Sequence, residues 1–279
     1  MKYILYNAKS QNGNGRKAAE GYLAKEGEGT VLVDLVELDI KEWLKDVQET
    51  DTLILCGGDG TLNRLANDLD GMDLPCPLLH YRGGTGNDFL VDLEEELNTK
   101  EVGPINAYLK NLPTVKVNDI ECKYINGIGY GIDGMCCEFA DNMRAAGKTK
   151  VNYTTLAIKI CLFHYKAPNA TVIIDGQELK FRKVWLAASM KGRYYGGGMR
   201  IAPKQDRTSG KLCLTVAHDL GRFRLLTIFP KIFKGGHMKH TKYMSDYYGS
   251  HIKVAFDRPM ALQIDGETVL NVTEYEVWA

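Results

Sequence analysis

The 279-residue chain has no excess charge of either sign, since 35 lysines and arginines meet 35 aspartates and glutamates. Wholesale nucleic-acid binding would leave a basic surplus and is excluded; attraction to phosphate or membrane has to come from local patches. Metal-type cysteine pairs are lacking too. The seven cysteines are odd in number and scattered, apart from adjacent Cys136 and Cys137, and no C-x-x-C occurs to suggest zinc. Reduced thiols in a cytoplasmic protein are the simple reading. No apolar run approaches the roughly 18 residues of a spanning helix, and the one at the N-terminus is too short for a signal peptide before it breaks into glycine and asparagine. If such a chain acts on a lipid, it has to visit the membrane rather than live in it. Internal repeats and low-complexity segments are absent as well. What remains is ordinary globular composition, 44% hydrophobic and 25% charged, at a length that suits two cores better than one.

The first part alternates short apolar runs with helical patterns. Strands are expected at Tyr3-Ile4-Leu5-Tyr6, from Val31 to Leu38, from Thr52 to Cys56 and from Leu78 to Tyr81. Helical stretches begin near Arg16 and run around Ile40 to Val47. Such alternation predicts a parallel sheet covered on both faces. After Pro113 the texture changes. Strands start at Val115 and Cys122, helical patterns cover Glu138 to Ala146 and Thr154 to Tyr165, and strand and turn signals dominate beyond Ala170. Asp175-Gly176 and Asp265-Gly266 are D-G pairs between apolar runs, the strongest short hairpin signal. The expected organisation is an α/β domain over 1–113, parallel and Rossmann-like, then a mainly antiparallel β domain over 114–279. The last strand has the option of returning to the first domain.

Two glycine-rich turns carry the chemistry. Gly57-Gly58-Asp59-Gly60-Thr61-Leu62-Asn63 follows the third strand and opens a helix; Gly83-Gly84-Thr85-Gly86-Asn87-Asp88 follows the fourth and again precedes a helical pattern. Glycines let a backbone approach a ligand closely, and the free N–H groups opening a helix favour an anion. In an open α/β sheet these positions lie at the carboxyl ends of strands, where ligands bind. Two such turns at successive strand ends converge on one crevice, suited to phosphates on amides and to Mg²⁺ or a nucleotide oriented by carboxylates. The blander alternative is a pair of tight turns with Asp59 as a helix cap.

At these residues the sequence resembles the diacylglycerol kinase catalytic family, including bacterial lipid kinases and sphingosine kinase relatives. The resemblance rests on GGDGTLN at 57–63 and GTGND at 84–88. It continues through Asn126-Gly127-Ile128-Gly129-Tyr130-Gly131-Ile132-Asp133, Gly196-Gly197-Gly198 with Ile201-Ala202-Pro203, and Gln263-Ile264-Asp265-Gly266-Glu267. It implies a kinase that uses ATP and Mg²⁺ to phosphorylate a lipid hydroxyl such as that of diacylglycerol, with a β-sandwich-like second domain and the active site in a cleft between the domains. By the same resemblance, Asp59 faces the phosphates and their magnesium beside Gly57, Gly58, Gly60, Thr61 and Asn63. Gly84, Thr85, Gly86, Asn87 and Asp88 complete the nucleotide site, with Asn7 and the loop at 13–15 contributing and Asp133 supporting it from the second domain. Glu267 looks like the general base. The lipid substrate and a transient membrane surface are the implied partners, with the enzyme peripheral at the inner face of the membrane. The acceptor lipid and the oligomeric state stay open, a homodimer among the options.

There are departures from the family pattern. Ala8 replaces the usual proline after Asn7, and Arg82-Gly83 stands where Pro-Leu is common. Ser189-Met190 falls where asparagine is common. Thr208-Ser209 replaces the two acidic residues that hold a structural magnesium in many bacterial members, so that metal is not carried over. Gly13-Asn14-Gly15-Arg16-Lys17-Ala18 fits a dinucleotide fingerprint, but the acidic residue expected about 20 positions on is only loosely met by Asp34 or Glu37. Gly147-Lys148-Thr149 follows a helical pattern and reads as its C-terminus. A basic, aromatic run from Lys231 to Tyr248, with His237 and His240, is either a solvated face or a membrane-facing patch. Two other functions compete: an NAD kinase-like phosphotransferase, which shares the G-G-D-G-T turn, and a non-catalytic nucleotide-binding regulator.

Overall fold

The computed structural model describes residues 1–84, 86–148 and 151–279, without the side chains of residues 11 and 12. Thr85 of the second glycine turn and Thr149 thus lie outside the described residues. The chain divides into two compact units, Met1–Leu112 and Pro113–Ala279.

In the first unit, β1 (Lys2–Tyr6), β2 (Thr30–Asp34), β3 (Thr52–Gly57) and β4 (Leu78–Arg82) form one parallel sheet in the order β2-β1-β3-β4. Leu53, Ile54, Leu55 and Cys56 are all buried, as strands covered on both faces require. A helical turn α1 (Ser10–Gly13) and helix α2 (Gly15–Glu26) follow β1. The short α3 (Ile40–Trp43) precedes β3, α4 (Asp59–Leu69) follows it, and α5 (Asp88–Glu96) follows β4, with α6 (Asn106–Lys110) closing the unit. The predicted second strand stops at Asp34, four residues early. Its Oδ1 accepts the amides of Ala8 (3.2 Å) and Val36 (3.1 Å), which turns the chain out of the sheet.

The second unit carries a ten-stranded antiparallel sheet. Its strands are β5 (Thr114–Val117), β6 (Ile120–Lys123), β7 (Gly127–Gly131), β8 (Ala170–Ile174), β9 (Gln177–Phe181), β10 (Leu186–Met190), β11 (Leu212–Ala217), β12 (Met244–Gly249), β13 (His251–Ile264) and β14 (Glu267–Trp278). The main path is β12-β11-β10-β7-β13-β14-β5-β6, with β8 pairing β13 and β9. Helices α7 (Ile132–Ala145), α8 (Tyr153–Lys159) and α9 (Arg222–Ile228) accompany it. Both D-G pairs are two-residue hairpin loops, Ile174 pairing Gln177 and Ile264 pairing Glu267. All four loop residues have positive φ (46°, 86°, 46° and 97°), the requirement of a type I′ turn. The option of β14 returning to the first unit does not hold: it pairs with β13 along its length and with β5 at its end.

Helix α7 starts six residues before the pattern suggested. Gly134 hides that start, because it is placed there by packing: a Cβ would come 2.1 Å from the Ala261 carbonyl oxygen. The predicted 154–165 helix ends in a π-helical turn over Ile160–His164.

Candidate active site

The register brings the predicted nucleotide residues to one sheet edge. Tyr6 pairs with Cys56, Cys56 with Tyr81, and Gly57 with Arg82. Asn7, Gly57 and Gly83 therefore leave the carboxyl ends of three adjacent strands side by side. The order β2-β1-β3-β4 reverses between β1 and β3, which puts the switch point, where ligands of open α/β sheets bind, between the Asn7 loop and the Gly57 turn.

The two glycine turns touch through their backbones. The Gly83 amide donates to the Gly57 carbonyl (2.9 Å), and the Asp59 amide donates to the Gly86 carbonyl (3.0 Å). A Cβ on Gly58 would lie 2.5 Å from the Gly86 oxygen and 2.7 Å from that of Gly83; one on Gly83 would lie 2.8 Å from the Gly57 nitrogen. Side chains cannot fit there. Thr61 is buried and packs on Gly57, whose added Cβ would stand 2.6 Å from the threonine Cβ. Gly60 is the contrast: beyond its own helix, no atom of the described residues comes within 4 Å of a Cβ built there.

Asp59 is buried and both its carboxylate oxygens accept amides of α5, Oδ2 from Asp88 (2.7 Å) and Oδ1 from Phe89 (3.1 Å). One carboxylate thus joins the first turn to the N-terminus of the helix opened by the second, where the helix dipole favours negative charge. Asn87 donates to the Gly84 carbonyl (3.2 Å), while its Oδ1 is buried and has no partner among the described residues. Asn63 lies one turn into α4, within 3.2 Å of the Asn67 amide. Asn7 shapes its own loop, its Oδ1 accepting from the Lys9 amide (2.9 Å), and Gly15 sits so close that a Cβ would overlap the Asn7 carbonyl. Beneath the turns, buried His80 meets the Gly57 carbonyl through Nε2 (3.1 Å); burial pulls its pKa down to about 4, so the ring is neutral.

In the second unit Asp133 stands in the first turn of α7. Gly129 makes room for it, since a Cβ there would fall on Asp133 Oδ2. The Tyr195 hydroxyl donates to that oxygen (2.9 Å), and Oδ1 is enclosed. Burial pushes the Asp133 pKa up to about 6 against the pull of Tyr195. Glu267 is exposed at the start of β14, just past the hairpin.

Three residues that support this arrangement carried no assigned role in the sequence. The Asp265 carboxylate accepts the amides of Ile125 (2.6 Å), Asn126 (2.9 Å) and Gly127 (3.0 Å), pinning the start of β7 to the hairpin that bears Glu267. Buried Gln263 accepts the Gly266 amide through Oε1 (2.7 Å) and has its amide group beside Asp133. Buried Arg207 donates to the Ile125 carbonyl and to Asn126 Oδ1. Asp265 and Gln263 flank Glu267 in the same short motif, which was the one available signal. Among the departures, Ser189 is buried against the Tyr275 hydroxyl (2.8 Å), and Asp206 accepts from the amide and hydroxyl of Thr208 within its own turn.

Comparison with known proteins follows the same division. The model of the YegS C-terminal NAD kinase beta sandwich-like domain matches residues 126–275, more than half of the chain, and that of the diacylglycerol kinase catalytic domain matches residues 2–117. The chain belongs to the diacylglycerol kinase family. A protein named diacylglycerol kinase from Mycobacterium tuberculosis (strain CDC 1551 / Oshkosh) is 28% identical over 248 residues, 84% of this chain and 79% of that one. A Staphylococcus aureus (strain MRSA252) protein, named provisionally as a lipid kinase, is 26% identical over 88% of this chain and 79% of its own. A Bacillus anthracis str. Sterne crystal structure, named provisionally as a diacylglycerol kinase, superposes with a TM-score of 0.68 at 19% identity, over 99% of this chain and 93% of that one. At that identity the likeness speaks for the fold alone. The relatives in this family are named as kinases, and the chain is a kinase-family protein.

Proposed function

We propose that the chain is an ATP-dependent lipid kinase that transfers the γ-phosphoryl group of Mg-ATP to a lipid hydroxyl such as that of diacylglycerol. The observation that carries this is the pair of interlocked glycine turns beside the switch point, together with relatives whose names include diacylglycerol and lipid kinase. Main-chain amides of Gly58, Gly60, Gly84 and Gly86 suit phosphate oxygens, because nothing but hydrogen stands on those α-carbons. The buried Oδ1 of Asn87, an acceptor with no partner among the described residues, suits a donor of the nucleotide. Mg²⁺ prefers one or two carboxylates plus phosphate oxygens. Asp59 and Asp88 are the carboxylates of the turns and fit that donor set; the ion, when bound, neutralises charge on the phosphates.

Glu267 is the proposed proton acceptor for the attacking hydroxyl. A carboxylate is too weak a base to form an alkoxide beforehand. Phosphoryl transfer has a loose transition state, however, and the proton has to leave only late. Asp265 and Gln263 hold the hairpin that places it.

The deciding measurement is ADP release from Mg-ATP against lipid alcohols in mixed micelles, with NAD in the same panel. Turnover stimulated by a lipid alcohol is expected. Stimulation by NAD alone reassigns the acceptor, and ATP binding without stimulated turnover makes the chain a nucleotide-binding regulator.

A further inference from the structure

Two phenylalanines of the second unit are set almost wholly in solvent: Phe163 is 74% exposed and Phe223 82%. Each is part of an ordered element, the π-helical turn Ile160–His164 and α9 respectively. The two elements are tied together. Arg222 donates through Nε to the Cys161 carbonyl (3.1 Å) and through Nη2 to that of Tyr165 (3.1 Å), bridging the turn that holds Phe163 while Phe223 follows it in sequence. Exposed rings of this size serve neither core nor cap. A single exposed apolar residue needs no explanation, but two on joined elements, with Ile158 and Phe233 also exposed, mark an interaction surface.

The charge around them identifies the partner. No carboxylate occurs between Asp141 and Asp175, nor between Asp219 and Asp246, in a chain whose acids and bases balance overall. The same stretches carry exposed Lys159, Arg224, Lys231 and Lys234. A protein partner would leave such a cationic surface to be matched residue by residue, whereas an anionic bilayer matches it everywhere and accepts the rings at its acyl boundary.

We propose that the face built by the 160–164 turn, α9 and the following 229–234 turn docks on an anionic bilayer, with Phe163 and Phe223 entering the interface and the lysines and arginines resting on lipid headgroups. This extends the membrane contact from the basic, aromatic run at 231–248 to a face that joins separate elements. His237 drops out of it: that side chain is fully buried and bonded to the Ile201 carbonyl (2.9 Å). The proposal rests on the reading of a lipid acceptor, and its test is separable from that reading.

The test is sedimentation with vesicles of phosphatidylglycerol and phosphatidylcholine, alongside phosphatidylcholine alone. The intact chain is expected to bind the anionic vesicles, more weakly as salt rises. The double variant Phe163→Gln with Phe223→Gln should bind at least about tenfold more weakly, the order expected for losing two buried rings. A triple variant Arg224→Gln, Lys231→Gln, Lys234→Gln should bind weakly and lose most of its salt dependence. Unchanged binding of the phenylalanine variant, or no binding by the intact chain, overturns the proposal. So does a phenylalanine variant that merely shifts a dimer to monomer in light scattering while binding vesicles as before, which would make the face a contact between copies. Turnover with a detergent-dispersed acceptor is measured in parallel. If it is absent from every form while the vesicle result holds, the docking face stands and the kinase reading falls.

Discussion

The two units build their candidate functional groups by opposite means. In the first, the edge is main chain: amides, carbonyls and glycine α-carbons packed against each other, with a single carboxylate holding the turns together. In the second, it is side chains: Asp133, Gln263, Asp265 and Arg207 in or around a hairpin, with Glu267 exposed beyond it. A main-chain edge is broken by adding atoms and a side-chain edge by removing them. The first suits a ligand part that never changes, such as a phosphate chain. The second leaves room for a variable acceptor.

The sharpest way to break this contrast is Gly58→Ala. One methyl group 2.5 Å from the Gly86 oxygen has to push the two turns apart. Overpacking of this kind costs about 1–3 kcal/mol, and we expect ATP-dependent turnover to vanish, with a lower melting temperature in the same preparation. Normal turnover would show that the interlocked turns are not the phosphate site.

Next come two carboxylate replacements that the contrast separates. Glu267→Gln keeps size and removes the base, so kcat should fall by about 10²–10⁴-fold with ATP affinity and melting temperature unchanged. Asp59→Asn should cost roughly 10²-fold or more in kcat and also destabilise the chain, because its NH₂ group would face an α5 amide that now donates to an oxygen. A Glu267 variant of normal kcat would return that residue to the surface. An Asp59 variant with low activity and full stability would mean that holding α5 is not its task.

The effects of pH carry opposite signs in the two units. His80 has a folded pKa of about 4, below the 6.5 of a free imidazole, so the unfolded chain binds the extra proton and stability is lost as pH falls from 6.5 through 4. Asp133 is raised from 3.8 to about 6, so there the folded chain binds the extra proton and stability is lost as pH rises from 3.8 through 6. Asp133→Asn should therefore stabilise the second unit at pH 7.5 by up to about 3 kcal/mol, with little effect below pH 4. Amide hydrogen exchange read separately at 53–62 and 125–135 would check this. Protection that moves in the same direction in both segments would contradict the assignment.

Alternation of short apolar runs with helical patterns was enough to read the parallel sheet, and two D-G pairs were enough to read two hairpins, because both signals are local. The glycine turns were legible for the same reason. What escaped depends on partners far along the chain. Asp59 is legible as a turn residue, but the amides it holds lie 29 and 30 positions on. Asp265 reaches back to Ile125, 140 positions away, and no periodicity reports that. Gly134 reads as a helix breaker until Ala261 is known to press against it. His237 sits in a basic run that looks solvated throughout, yet its ring is the one turned inward.

Gly60 carries a consequence for genetics. Every single-base change that converts a glycine codon to another amino acid adds a side chain. At Gly58 and Gly83 the neighbouring backbone opposes that, so a mutational scan for folded protein will show those positions depleted. At Gly60 the chain offers open space, and folded variants should be recovered there. If a scan for turnover nevertheless demands glycine at 60, the demand is made by the ligand, and the missing alleles outline where its phosphates lie.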